Sequence, residues 1–164
     1  MSNQISFTYT FHAPRELVFK AFTEADHLKN WWGPKGWKFE VLQSDFRPGG
    51  VFLYSQKPDD GDAMWVKFVY SEIVTPEKIV YSSFFSDREG NTIRAPFNEN
   101  WPLETLTSMS FMEDGGKTTV TVTLAPVSAA EDEINTFIES KEMTQEGFIG
   151  TFKQLEDYLL NTSK

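Results

Sequence analysis

Residues 133–160, EINTFIESKEMTQEGFIGTFKQLEDYLL, decide the fold of this chain. Apolar side chains recur in the second part of this stretch at spacings of four, three and four, which is typical of one face of an α-helix: Phe148, Phe152, Leu155 and Leu159. Extended upstream, the same face would carry Thr144 and Lys141 before it reached Phe137. The pattern therefore predicts a break near Ser140, with a short helix before it and a long helix after it.

Two glycines, Gly147 and Gly150, lie within the predicted long helix. Each is expected to cost about 1 kcal/mol of helix stability relative to alanine. They lie beside the apolar face, on the same flank as Met143. We interpret them as positions where the helix leaves room, and we expect a cavity between this helix and the rest of the fold.

The size and composition of the chain exclude several classes of function. Its 164 residues predict one domain, spanning residues 1–164. Its net charge of −9 argues against binding to nucleic acid and against docking on anionic lipid. Without cysteine the chain has no disulfide and no thiolate metal site. Residues 1–10 lack a signal-peptide pattern and no apolar run approaches the ~20 residues of a membrane span, so we expect a cytoplasmic protein without membrane insertion.

Two short helices are predicted after the first strand. Pro14 suits the first turn of a helix, where its missing N–H is not needed. Thr23 followed by Asp26 resembles a capping pair that opens the second helix. That helix is expected to carry two tryptophans near its end and to be stopped by Gly33 and Pro34.

Alternating apolar and polar residues predict seven strands, at residues 5–11, 37–41, 51–55, 64–74, 79–85, 103–112 and 118–124. Short turns rich in Pro, Gly and Asp join most of them, which favours antiparallel pairing. A sheet of this size curls, so we expect an α+β fold whose curved sheet wraps around the long C-terminal helix. Residues 86–102 show little periodicity. We interpret them as a rim that closes over the cavity, the alternative being an extended hairpin.

Four motifs occur in order along the chain: WWGP at 31–34, DFRPGG at 45–50, TPEKIV at 75–80 and MTQEGF at 143–148. Together they resemble the activator of heat-shock protein 90 ATPase homologue family, within the START/polyketide-cyclase (SRPBCC, Bet v 1-like) superfamily. One departure from the family pattern is Phe148, where many relatives carry Trp.

The resemblance implies a helix-grip fold, with a deep cavity between the sheet and the long helix that commonly holds an apolar small molecule. It does not imply one activity. The superfamily includes carriers, cyclases, aromatase-like enzymes and co-chaperones, which share no common set of catalytic residues. Function must therefore be argued from the site.

Aromatic residues are abundant, with five Trp, five Tyr and fifteen Phe, and most are expected to form the core. Those on the apolar faces would also line a cavity. The predicted ligand-binding residues are Trp31, Trp32, Phe39, Phe52, Phe68, Tyr81, Phe85, Trp101, Gly147, Phe148 and Phe152. For Trp31 and Trp32 two interpretations stay open, a lid at the cavity mouth or a plug at the end of the core. Candidate anchors for a polar group of the ligand are Arg47, Lys67 and Arg94, although outward-facing strand positions are the simpler interpretation of each.

No catalytic residue, metal site or cofactor is predicted. Histidine can act as a general base, but we interpret both His12 and His27 as surface or capping residues. The chain has no Gly-x-Ser-x-Gly elbow and no cysteine nucleophile. Asp59, Asp60 and Asp62 lack the glutamate that completes a calcium loop, and they predict a polar hairpin turn.

The leading hypothesis is a protein that binds a small hydrophobic or aromatic molecule in the cavity. One alternative is a co-chaperone-like interaction module, whose −9 charge would steer it toward a basic surface of a chaperone. Another is an enzyme, such as a cyclase or hydrolase acting on a hydrophobic substrate, in which an apolar wall raises the pKa of a carboxyl group. Oligomeric state is open, and an exposed edge strand suits pairing in a homodimer.

Overall fold

The computed structural model of the chain describes residues 3–33, 36–96 and 98–162. Pro34, at the predicted end of the second helix, lies outside these ranges. The strands are β1 (Ile5–Phe11), β2 (Lys38–Ser44), β3 (Val51–Lys57), β4 (Met64–Val74), β5 (Lys78–Ser86), β6 (Thr105–Asp114) and β7 (Lys117–Pro126). The helices are α1 (Arg15–Thr23), α2 (Ala25–Leu28), α3 (Glu131–Glu139) and α4 (Lys141–Thr162).

The seven strands form one sheet in the order β1-β7-β6-β5-β4-β3-β2, and all neighbouring strands are antiparallel. Strand β1 pairs with β7, so the first and last strands of the chain lie side by side. Bulges in β2, between Val41 and Gln43, and in β4, between Tyr70 and Glu72, add local twist. With the long helix packed on the apolar face, this is the predicted α+β helix-grip fold, which is confirmed.

The C-terminal half of α4 packs on β1 and α1. Phe152 is fully buried, and its ring centroid lies 5.6 Å from those of both Phe11 and Phe22. Leu155 and Leu159 continue the buried face toward the end of the helix. These are residues whose spacing predicted the helix, and they stabilise the fold because folding removes their apolar side chains from water.

The predicted break between the two C-terminal helices is confirmed. Helix α3 ends at Glu139 and α4 begins at Lys141, with Ser140 outside both. At the start of α3, the carboxylate of Glu133 accepts a hydrogen bond from the backbone N–H of Ala130 at 2.8 Å. This bond satisfies one of the donors that the first turn of a helix leaves without a partner.

The prediction that Thr23 opens the second helix is wrong. Helix α1 continues through Thr23, whose hydroxyl donates to the carbonyl of Lys20 at 3.3 Å. A threonine hydroxyl often bonds back to the preceding turn in this way, and it is then not available as a cap. Helix α2 begins at Ala25 instead, with the N–H of Leu28 bonded to the carbonyl of Glu24 at 3.0 Å.

Candidate functional site

The space between the sheet and the helices is largely filled by the aromatic side chains of the protein itself. The rings of Phe68 and Tyr81 stack with their centroids 4.2 Å apart, and Phe52 lies 5.8 Å from Phe68. An inner cavity of about 20 Å³ is left, which has room for about one water molecule. Its lining consists of Phe22, Leu28, Trp32, Phe52, Phe68, Tyr70, Ile79, Tyr81 and Met109.

Three buried phenols supply polar groups in and beside this aromatic interior. Burial raises the pKa of Tyr54, Tyr70 and Tyr81 well above the ordinary value for tyrosine. Side-chain hydrogen bonds oppose the shift without cancelling it, from Trp32 to Tyr54 and from Thr107 to Tyr81. All three hydroxyls therefore stay neutral at physiological pH.

A larger space, of about 220 Å³, lies at the surface between the segment after α2, the inner face of β3 and the first turns of α4. We call it the Trp32 cleft, and its lining consists of Trp32, Gly33, Tyr54, Gln56, Met143, Thr144, Gly147, Phe148 and Thr151. A Cβ atom placed on Gly147 would meet nothing within 4 Å. The helix thus leaves open space at this exposed glycine, and its contact with a ligand stays a prediction.

Trp31 and Trp32 have different positions in the structure. Trp31 is 2% exposed, and its indole N–H donates to the carbonyl of Ala21 at 3.0 Å, as expected of a plug. Trp32 is half-buried and lines both the inner cavity and the Trp32 cleft. Its ring contacts those of Tyr54 and Phe68, at 6.4 and 6.1 Å. It is therefore the residue that the two linings share.

Gln154 connects α4 to the segment that carries Trp32. Its side-chain amide donates to the carbonyls of Trp31, at 3.1 Å, and of Gly33, at 2.7 Å. Sequence reasoning missed this residue. The signal was available, because Gly147, Thr151 and Gln154 follow one another at spacings of four and three, which puts them on one side of the helix.

The remaining predicted ligand-binding residues lie away from both spaces. Trp31 and Phe152 belong to the core, Phe39 packs on Tyr54 at 5.2 Å, and Phe85 is half-buried against the core. Their contact with a ligand stays a prediction. The structure thus brings together Trp32, Phe52, Phe68 and Tyr81 at the inner cavity, and Trp32, Gly147 and Phe148 at the cleft.

The segment between β5 and β6 packs on α3. Arg94 forms an ion pair with Glu133, and its guanidinium also donates to the carbonyl of Trp101 at 3.4 Å. The ring of Trp101 lies 5.6 Å from that of Phe137. None of the described residues of this segment lines either space, so the expected rim over the cavity is not found there. For Trp101, as for Trp31 and Phe152, ligand contact stays a prediction.

The two histidines link other elements to the C-terminal half of α4. Nδ1 of His12 lies 2.7 Å from a carboxylate oxygen of Glu156, and Nδ1 of His27 lies 2.6 Å from the hydroxyl of Tyr158. Within the described ranges there is no cluster of three or more side chains that could hold a metal ion. No helix in the described part of the chain is long and apolar enough to span a membrane.

A known family matches most of this chain. The model of the family described as activator of Hsp90 ATPase homolog 1-like protein matches residues 12–160. No curated protein matches the chain.

Several solved structures share the fold along nearly their full length. A solution NMR structure of a Staphylococcus epidermidis protein is 27% identical, with a TM-score of 0.80, over 100% of this chain and 93% of that one. The crystal structure of protein Ms6760 from Mycobacterium smegmatis is 21% identical, with a TM-score of 0.77, over 95% and 90%. A Silicibacter pomeroyi protein is 15% identical, with a TM-score of 0.72, over 97% and 99%. The last two likenesses establish the shared fold alone.

Proposed function

We propose that this chain, which belongs to the activator of Hsp90 ATPase homolog 1-like family, binds a small hydrophobic molecule in the Trp32 cleft. The observation that carries this conclusion is the position of Trp32, a wall both of the cleft of about 220 Å³ and of the inner cavity of about 20 Å³. A ligand in the cleft therefore needs the movement of one side chain to reach the aromatic interior. The cleft alone exceeds the ~150 Å³ of a cavity that accepts benzene.

The indole of Trp32 can move without its backbone, which is held, and in turning it would give up its hydrogen bond to Tyr54. Gln154 bonds to the carbonyls on either side of it, at 3.1 and 2.7 Å. Rotamer changes of partly exposed side chains are fast compared with backbone rearrangement. When the indole turns aside, the cleft and the inner cavity join, and a ligand gains contact with Phe68 and Tyr81.

The lining of the cleft favours a neutral ligand with one or two polar groups. Trp32, Met143 and Phe148 supply apolar surface, and each Å² of apolar surface buried on binding contributes about 25 cal/mol. The hydroxyl of Tyr54 and the amide of Gln56 supply hydrogen-bonding groups. No charged side chain is among the described residues that line the cleft, so a charged ligand would find no ionic partner there.

A matched pair of glycine substitutions tests the cleft. Gly147→Leu puts a bulky side chain into the cleft, whereas Gly150→Leu puts it on the same helix outside the cleft, where a Cβ also meets nothing within 4 Å. With the fluorescent probe N-phenyl-1-naphthylamine, we expect Gly147→Leu to weaken binding at least about tenfold, ~1.4 kcal/mol. Gly150→Leu is expected to bind as the unmodified protein does. Equal affinity in the two variants would contradict binding in the cleft.

Removal of the indole tests the role of Trp32. Trp32→Ala joins the cleft and the inner cavity permanently, so we expect faster association of the same probe in stopped-flow fluorescence. Trp32→Phe keeps an aromatic wall and serves as the control. If Trp32→Ala leaves the association rate unchanged, the indole does not separate the ligand from the interior.

The family description favours a second candidate function, stimulation of the ATPase of a heat-shock chaperone through direct contact. The net charge of −9 suits attraction to a basic surface of such a partner. Measuring the ATPase rate of an Hsp90-type chaperone with and without the protein tests this function. A rise in rate that weakens with added salt supports it, and an unchanged rate at low salt contradicts it.

A further inference from the structure

A second pocket lies on the opposite face of the sheet from the Trp32 cleft. It has a volume of about 160 Å³, and we call it the outer-face pocket. Its lining consists of Lys38, Glu40, Leu42, Ser55, Lys57, Ala63, Trp65 and Arg88. We propose that this pocket binds a small anion that carries one aromatic ring, such as an aryl phosphate or an aromatic carboxylate.

The pairing of β2, β3 and β4 builds the pocket. Glu40 lies directly opposite Ser55, and Ser55 lies directly opposite Trp65, which makes one row across three strands. Lys38 lies directly opposite Lys57, which makes the next row. Because residues paired across a sheet point to the same face, these five side chains project together, away from the side that carries the aromatic core.

Among the residues that the structure describes, the cations of the pocket have no ionic partner. Lys38, Lys57 and Arg88 form no ion pair and no side-chain hydrogen bond with another described residue, although the chain has 24 acidic residues against 15 basic ones. Two like charges directly opposite each other on a sheet are destabilising, as for Lys38 and Lys57. Three cations and one carboxylate, that of Glu40, leave the lining with an excess of positive charge. An anion bound between the cations would relieve their repulsion.

Hydrogen bonds from β4 and within the turn itself fix residues 87–92, the turn that carries Arg88. The ammonium of Lys67 donates to the carbonyl of Gly90 at 3.0 Å and to the hydroxyl of Thr92 at 3.3 Å. The carboxylate of Asp87 accepts the backbone N–H of Asn91 at 2.9 Å. The turn is therefore tied to the outer face of β4, and Arg88 contributes to the pocket without a rearrangement of the backbone.

The uncharged part of the lining is the reason for proposing a ligand that carries an aromatic ring. Trp65 is half-buried, lines the pocket and makes no ring contact with another described residue, so its indole can supply a stacking surface for an aromatic ligand. Leu42 adds apolar surface. Ser55 is 8% exposed, and its hydroxyl makes no hydrogen bond to another described residue. The volume of the pocket, about 160 Å³, is close to the ~150 Å³ of a cavity that accepts benzene. The pocket therefore suits a ligand with one ring better than a polymer.

Titration with phenyl phosphate, followed by NMR at the indole N–H of Trp65, tests this site. The variant Trp65→Phe lacks this N–H, so the signal missing from its spectrum is that of Trp65. We expect saturable shifts that weaken with added salt, smaller shifts with inorganic phosphate, and none with phenol. Shifts of equal size with phenol, or none with phenyl phosphate, would overturn the assignment of an anion site.

Charge-removing variants separate this pocket from the rest of the surface. The double variant Lys57→Gln with Arg88→Gln is expected to weaken the binding of phenyl phosphate about tenfold or more, while Lys153→Gln, an exposed cation on α4, leaves it unchanged. Both variants change exposed side chains, so folding is preserved. Equal binding in the two variants overturns the site. Tighter binding of a hexaglutamate peptide than of phenyl phosphate also overturns it, in favour of a docking surface for an acidic protein segment.

This binding is independent of the Trp32 cleft. Gly147→Leu is expected to leave the phenyl phosphate titration unchanged even where it abolishes binding of the hydrophobic probe, because Gly147 lines the cleft and not the outer-face pocket. Loss of both ligands in that variant would overturn the assignment of two separate sites.

Discussion

The two halves of α4 have different surroundings although they form one continuous helix. In the second half, Phe152, Leu155 and Leu159 are buried on β1 and α1. In the first half, Gly147 and Thr151 border the Trp32 cleft. The comparison teaches that one helix can pack bulky residues into the core along part of its length and border an open cleft along the rest.

The two halves of α4 also differ in their polar contacts. The second half is tied down by Glu156, 2.7 Å from His12, and by Tyr158, 2.6 Å from His27. In the first half, the amide of Gln145 lies 3.5 Å from the carbonyl of Ser6, at the limit of a hydrogen bond. We therefore expect the first half to be the part of the helix that yields when a ligand enters.

The largest effect is expected from truncating phenylalanine in the two halves. Phe152→Ala removes a fully buried ring and is expected to lower the free energy of unfolding by about 3–5 kcal/mol. Phe148→Ala removes a half-buried ring at the edge of the cleft, and we expect a loss of about 1–2 kcal/mol. Urea denaturation measures both. Equal losses would mean that the first half of α4 belongs to the core as fully as the second.

The fold was predictable because buried residues recur at regular spacings in the sequence. Phe152, Leu155 and Leu159 all face one packed surface, so their spacing follows the helical repeat. Strand residues alternate for the same reason, since one face of the sheet is covered. The local error at Thr23 arose because a hydroxyl can bond either forward as a cap or back to the preceding turn, and the sequence does not distinguish the two.

The candidate site was predictable only in part. Gly147 pointed to open space on the helix because glycine is unfavourable there without another reason. The volume of the interior was not predictable, since it depends on how rings such as Phe68 and Tyr81 stack, and spacing does not encode that. Nor does the pair Trp31 and Trp32 reveal which indole is the plug. Adjacent residues face different directions, and only the surrounding elements decide which is buried.

A smaller effect is expected from Gln154, which ties the second half of α4 to the segment that carries Trp32. Gln154→Ala removes the hydrogen bonds to the carbonyls of Trp31 and Gly33, which should lower the free energy of unfolding by about 1–2 kcal/mol. Hydrogen exchange of the Trp32 amide should become faster, because the segment is released from α4. Gln145→Ala is the matched control, since the side-chain hydrogen bond of Gln145 to a described residue is long, at 3.5 Å. Equal acceleration in both variants would show that Gln154 does not hold this segment.

The smallest effect on stability is expected from replacing Gly147, which lines the cleft, or Gly150, which does not, with alanine. Gly147→Ala and Gly150→Ala are each expected to raise the free energy of unfolding by about 0.5–1 kcal/mol, because an added Cβ meets nothing within 4 Å at either position. Their effects on the binding of N-phenyl-1-naphthylamine should differ. Alanine at position 147 takes space from the cleft and is expected to weaken binding measurably, whereas alanine at position 150 is not. Thermal unfolding and probe titration on the same samples give both quantities. If Gly147→Ala raises stability and binds the probe as well as Gly150→Ala, the open space at Gly147 is not occupied by the ligand, and the first half of α4 is no more a binding surface than the second.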